Sequence, residues 1–428
     1  MKEINVTVIG SGSTYCPELI DGFIKAAGRL KIKMLKLMDI DERKRTIVGD
    51  LCVRMLKNAG MGCDVLMTDD LDEALAGADF IVTQIRVGKL PCRHLDETIP
   101  LKYGFIGQET TGMGGFFKAL RTIPVMKDIA EKIEKNCPDA WLVNFTNPSG
   151  IITEFFDNYT NVKCMGLCNI PVIMVDEIKE AAGADAEVEY VGLNHLSFVT
   201  SVKKDGAELL DRLLDEGFMP EVMKNIKNDG FAPELIKAVR GLPSSYLQYF
   251  YGRAAKLEYL LDAEQSRAEV CMEIEEELLK EYADENLKGK PPLLELRGGY
   301  KYSLAAVSLI DSIANDKRDV HVVNIPNNGA LPFMDNDDVV EIAAIIGKDG
   351  AEPIKLPGFK NPHVEGIMKI VKAYEKLAVK AGLCGDDRAA YNAMTLHPLI
   401  GDFENAKKCY EEMKEAHKAF LPQFKFEK

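Results

Sequence analysis

Cys168 and His195 are the two side chains whose surroundings suit them to hold a metal. Each stands in a short polar turn just after an apolar stretch, in Gly-Leu-Cys168-Asn169-Ile-Pro171 and Gly-Leu-Asn194-His195-Leu. A thiolate and an imidazole are both ligands for a divalent cation. Two protein ligands leave coordination positions open, which is what a cation needs in order to polarise substrate oxygens. Their separation is far from a closed zinc signature, so a buried thiol and a satisfied core histidine are the competing reading.

A second group points to a nucleotide. Gly10-Ser-Gly12-Ser13-Thr14 follows an apolar strand and precedes a helix, where glycines permit a tight turn and let backbone amides approach a pyrophosphate. Tyr15 occupies the place of the fingerprint's third glycine. Asp39, at the end of the next strand, is placed to accept from an adenosine ribose hydroxyl, and its charge disfavours a 2′-phosphate, so NAD is expected over NADP. A generic strand-to-helix turn with a capping Asp is the alternative. A third group is the run from Arg86 through Arg93 and Glu109 to Gly115, expected at the carboxyl edge of the sheet where ligands bind, or else a glycine-rich loop with solvated charges. Tyr246 is by periodicity only a helix aromatic.

These side chains must be positioned by an α/β chain. Strands are expected at Ile4 to Ile9, Met34 to Met38, Val65 to Met67, Asp79 to Thr83, Ala140 to Asn144 and Val162 to Leu167. Helices alternate with them, one starting near Pro17, one capped by Asp41 and running to about Asn58, one from Phe116 to Asn136, and one opened by Asn147-Pro148. That order predicts a doubly wound parallel sheet of the Rossmann type over residues 1–167. Residues 168–428 are expected to form an α+β substrate and metal domain, with antiparallel strands at Glu187 to Gly192 and Ser197 to Lys203. Helices are expected there at Ala263 to Tyr282, Ser303 to Asn315 and Val364 to Ala381.

Composition narrows the class. The chain has 428 residues, 46% hydrophobic and 28% charged, enough for two domains with a substantial core. A net charge of -14 argues against a nucleic-acid partner, and any anionic substrate must be held by a few specific arginines. No apolar run approaches the roughly 20 residues that span a bilayer, and the start of the chain enters a strand, so a cytoplasmic protein is expected. The 10 cysteines lack framework spacing.

Taken in order, Gly10-Ser-Gly-Ser-Thr-Tyr, Arg86 to Gly115, Asn144-Phe-Thr-Asn147-Pro-Ser-Gly, Gly166-Leu-Cys168-Asn169-Ile-Pro171, Gly192-Leu-Asn-His195, Pro243-Ser-Ser-Tyr246-Leu, Arg297-Gly-Gly-Tyr300 and Val323-Asn-Ile-Pro-Asn-Asn-Gly329 resemble glycoside hydrolase family 4. Its members are NAD- and metal-dependent 6-phosphoglycosidases, outside the two-carboxylate scheme of most glycosidases. The resemblance implies a lactate/malate dehydrogenase-like fold with NAD and Mn2+ as cofactors. It implies Cys168 and His195 as metal ligands, Tyr246 as the base, and Glu109 as the carboxylate that raises its basicity, by accepting its proton. Arg93, Asn147 and Arg267 match substrate-contact positions. Asn169, where α-acting members tend to carry Asp, implies a β-linked substrate.

The implied reaction oxidises C3 of the sugar with NAD+, which acidifies the proton on C2. Tyr246 removes that proton, the C1 leaving group is eliminated, water adds, and the hydride returns to C3. The substrate is expected to be a phosphorylated disaccharide or aryl glycoside, and the enzyme a homodimer or homotetramer. A 6-phospho-α-glucosidase of the same family, a NAD-dependent 2-hydroxy-acid dehydrogenase and a nucleotide-sensing binding module are the alternatives.

Overall fold

The computed structural model describes residues 3–218, 230–297 and 302–426. Gly298, Gly299 and Tyr300 of the Arg-Gly-Gly-Tyr segment lie outside the described residues. Strands β1 (Glu3–Ile9), β2 (Lys31–Met38), β3 (Asp64–Thr68), β4 (Phe80–Thr83), β5 (Trp141–Asn144) and β6 (Lys163–Gly166) pair in parallel in the order β3-β2-β1-β4-β5-β6. This is the order of a dinucleotide-binding sheet. Helices cover both faces, so Val6, Val8, Ile81, Val82, Leu142 and Val143 are all buried and the strands read as apolar runs. Asp41 starts the helix Glu42–Asn58 by accepting from the Lys44 amide, and Pro17 lies in the first turn of Cys16–Lys25.

Beyond β6 the expected antiparallel strands form, β7 (Glu187–Leu193) and β8 (Leu196–Lys204), joined as a hairpin. The second half is richer in strands than its periodicity predicts. It adds β9 (Ala207–Glu208), β10 (Leu242–Pro243), β11 (Asp319–Pro326), β12 (Val339–Gly347) and β13 (Gly350–Pro353). Short apolar runs such as Val339 to Ile346 cannot be told from buried helix by pattern alone, which is why β11 and β12 escaped the sequence reading. They join the halves. Asn324 of β11 pairs with Gly166 of β6, and Glu341 of β12 pairs with Gly192 of β7, extending one sheet to β10-β8-β7-β12-β11-β6 and on through the parallel strands.

Three local expectations are corrected. The run after β4 is not all loop, because Lys89–Thr98 forms a helix. The helix expected from Ala263 begins instead at Arg267, where Ser266 and Glu269 form a reciprocal capping box, and a separate helix Arg253–Asp262 precedes it. Tyr246 stands in the 3-10 turn Ser245–Leu247. A contiguous apolar core runs from Val6 and Phe23 to Ile310 and Tyr410, and a smaller one gathers Cys168, Tyr190, Tyr246 and Tyr249. Among the described residues no helix is long and apolar enough to cross a membrane.

Candidate active site

A cleft of about 1590 Å³ opens over the carboxyl ends of the parallel strands, lined by Gly10, Gly12, Ser13, Asp39, Arg93, Glu109, Asn147, Asn169, Tyr246 and Arg267. At one end Gly10 leaves β1 with φ +92°, a conformation that favours glycine, and a Cβ there would stand 3.0 Å from the Gln84 backbone. The Gly12 amide donates to Asp39 Oδ2 at 2.8 Å, and the Asp41 amide donates to Oδ1 at 2.9 Å. Asp39 therefore braces the glycine turn as well as facing the cleft. A Cβ at Gly12 would sit 2.8 Å from that carboxylate, so the missing side chain is what lets the turn close on Asp39. Ser13 faces the cleft, whereas Thr14 is buried and lies outside the lining, its carbonyl accepting from Tyr282 Oη at 2.8 Å.

The middle of the cleft is cationic around a single carboxylate. Glu109 is ion-paired to Arg86, to Arg93 at 3.1 Å and to Lys118 at 2.7 Å. Burial works against its charge, but the three cations hold its carboxyl well below the usual range. Its oxygens are thus engaged, and it acts on Tyr246 through charge; the expectation that it accepts the phenol proton does not fit this pairing. Arg93 also binds Glu97 at 2.7 Å, one turn along the helix Lys89–Thr98, and shares the Cys271 sulfur with Arg297, each at 3.5 Å. Burial and the charges of Arg86 and Arg93 push Lys118 down to about 7 despite Glu109. Arg267, at the start of its helix, donates to the carbonyls of Leu296 and Arg297 at 3.0 and 3.3 Å. Asn147 accepts from the Ser149 amide at 3.4 Å. Sequence reasoning had not singled out Arg86, Lys118 or Arg297 as a cation cluster, because only the fold shows which face of the helix Gly112–Asn136 meets the loop holding Glu109.

At the far end Cys168 caps the helix Asn169–Ala182 directly after β6, and His195 occupies the turn between β7 and β8 with φ +64°. Neither lines the cleft itself, and His195 faces a small separate cavity with Asn194 and His397. The His195 and Tyr246 rings stack 3.9 Å apart at 9°, and Tyr246 faces the cleft. Burial, aided by the Lys118 charge, pushes His195 down to about 3, so the imidazole is neutral, and its buried Nδ1 has no hydrogen-bond partner. Burial and then the Glu341 charge push the Cys168 thiol up, and burial, Cys168, Tyr249 and Glu109 raise the Tyr246 phenol well above its usual value. A neutral imidazole with an idle nitrogen and a thiol, both acting on Tyr246, are donor types fit for a divalent transition cation. The cluster of three metal-type side chains among the described residues lies elsewhere, at Asp335, Asp337 and Asp338, where Lys376 already pairs with Asp338 at 2.5 Å.

The family 4 glycosyl hydrolase model matches residues 5–184, and the model of the family 4 C-terminal domain matches residues 190–400. The chain belongs to glycosyl hydrolase family 4. A probable 6-phospho-beta-glucosidase of Bacillus subtilis is 44% identical over 435 residues, spanning 99% of this chain and 98% of its own length. The 6-phospho-beta-glucosidase of Escherichia coli is 40% identical over 439 residues, spanning 99% and 97%. The structure of the Thermotoga maritima 6-phospho-beta glucosidase with manganese, NAD+ and glucose-6-phosphate superposes with a TM-score of 0.88 at 34% identity, covering 97% of this chain and 99% of that one.

Proposed function

We propose that this family 4 enzyme hydrolyses 6-phospho-β-glucosides to glucose 6-phosphate and an aglycone or sugar, with NAD and a divalent cation, manganese foremost, as cofactors. The observation that carries the reading is the stack of Tyr246 on His195, with Cys168 acting on the same phenol, at the end of a cleft that starts at the Gly10–Asp39 turn. When bound, NAD supplies a hydride acceptor and donor for C3 of the sugar, and the cation supplies charge that acidifies C2.

The chain's own residues do the rest. Gly10, Gly12, Ser13 and Asp39 hold the dinucleotide, with Thr14 supporting the turn from within. Cys168 and His195 hold the cation. Arg93, with Arg86, Lys118, Arg267 and Asn147 around it, receives the sugar and its phosphate through charge-assisted hydrogen bonds. Tyr246 takes the proton from C2, the C1–O bond to the aglycone breaks, and Tyr246 returns a proton to C2 after water has added at C1. Burial and the Glu109 charge hold Tyr246 as a phenol in the absence of a cation; positive charge on Cys168 and His195 acts in the opposite direction. Asn169 offers no acid to the leaving group, which suits a β-linked substrate. Residues 1–167 and 168–428 act as cofactor and substrate lobes of a cytoplasmic homodimer or homotetramer.

A grid of α- and β-linked 6-phosphoglucosides, each with and without NAD+ and Mn2+, tests this reading. Turnover of the β compounds only when both cofactors are present, with no net NADH, is the expected result. Preference for the α compounds would assign the other branch of the family, and stoichiometric NADH would assign a dehydrogenase.

A further inference from the structure

Glu341 is a buried carboxylate with no part in the chemistry above, and its place in the sheet is specific. On one side its register partner is Gly192 of β7; on the other it is Asn324 of β11, which itself faces Gly166 of β6. Cys168 follows Gly166 by two residues, and His195 follows Gly192 by three. Glu341 therefore sits in the transverse row from which both of those turns depart.

Its hydrogen bonds point the same way. Glu341 Oε1 accepts from Asn194 Nδ2 and from Asn324 Nδ2, each at 3.1 Å. Oε2 accepts from Tyr190 Oη at 3.2 Å, and the Tyr190 hydroxyl also bonds Ser197 at 2.6 Å. Every partner of Glu341 is a donor; the three bonds favour the ionised carboxylate, which only accepts, against burial, which pushes the group up to about 7. The Asn194 amide is thereby held with its NH2 group toward Glu341, and the same side chain favours the Cys168 thiolate against the pull of burial. A carbonyl turned toward a thiolate would repel it. Asn194 also shares the two-residue turn between β7 and β8 with His195, so the bond that orients the sulfur anchors the backbone carrying the imidazole.

We infer that Glu341 is a positioning residue for the cation site, acting through Asn194 to orient Cys168 and His195. The inference rests on the assignment of those two residues as the cation's ligands. A buried carboxylate with three donors is costly to folding even when fully bonded, so a role confined to packing would be served better by an apolar side chain.

The test is Mn2+ binding to the purified protein, read from the loss of the free-ion electron paramagnetic resonance signal. Glu341→Gln keeps the shape but presents a donor where only acceptors stood, which frees the Asn194 amide to turn. Its Kd for Mn2+ should rise about 10–100-fold, the usual effect of losing a partner that orients a ligand, while the Kd for NAD stays at the wild-type value. Asn194→Ala, which leaves Glu341 in place, should show a rise of the same order. Cys168→Ser and His195→Ala calibrate the reading and should each lose Mn2+. A Glu341→Gln protein that binds Mn2+ within twofold of wild type, alongside a Cys168→Ser protein that does not bind it, overturns the role of Glu341 alone. Undiminished binding by Cys168→Ser and His195→Ala overturns the ligand assignment, and the inference with it. If Glu341→Gln fails to fold, Asn194→Ala decides, and a Kd within twofold of wild type overturns the proposal.

Discussion

At the scale of single residues, Tyr246 and Lys118 carry the sharpest expectations. Tyr246→Phe preserves the ring stacked on His195 and removes only the hydroxyl, so kcat should fall by more than about two orders of magnitude with the fold intact. Turnover by the wild-type enzyme in D2O should place deuterium at C2 of the product, read by NMR. Normal kcat in the Phe variant would return Tyr246 to a packing role. Lys118 predicts a pH dependence. Its ammonium is pushed down to about 7, so the cleft carries that charge below neutrality and loses it as pH rises through that value. KM for a phosphorylated substrate should therefore climb on the alkaline side. Lys118→Arg should flatten that rise, because a guanidinium does not deprotonate in this range; a KM against pH series on both proteins checks it.

At the scale of elements, the turn that presents His195 depends on a residue with no side chain. A Cβ on Gly192 would stand 2.4 Å from Ser197 Cα and 2.5 Å from the Leu196 carbonyl oxygen, both backbone atoms that cannot swing away. Gly192→Ala should cost about 1–3 kcal/mol by overpacking, measured as a lower denaturation midpoint. Much of this level was legible in the sequence. The glycine turn, Asp39, and strands β1 to β6 announce themselves through β-branched runs and capping residues, and the hairpin of β7 and β8 through its alternation. Strands β11 and β12 did not, because apolar runs of sheet length carry no period that separates strand from buried helix. Lys118 stayed outside the Arg86–Gly115 run for another reason: its ion pair with Glu109 forms only through tertiary folding, which no local pattern records. Asn194 and Glu341 were hidden in the same way, 147 residues apart along the chain.

At the scale of the whole molecule, the two halves share one sheet, one core and a buried charge cluster. Lys372, on the helix Pro362–Cys384, pairs with Glu154 at 2.8 Å on the helix Ser149–Tyr159 and with Glu375 on its own helix, all three buried. Lys372→Met would leave two carboxylates without their cation and should cost about 3–5 kcal/mol. The check is a urea titration followed by both fluorescence and cofactor release. Because the core is contiguous, the two signals should move together to lower denaturant; separate transitions would mean that the halves unfold independently.

The φ of +64° at His195 has a consequence on the timescale of sequence change. A non-glycine residue in left-handed backbone carries a standing penalty of order 1 kcal/mol, and glycine would relieve most of it. Random substitution at this codon therefore has a gradient toward a more stable protein that cannot hold a cation. Only selection for turnover opposes that drift. Position 195 should be among the first to decay in any descendant released from that selection, ahead of Cys168, which is as buried but stands in ordinary extended backbone where fold and chemistry pull the same way.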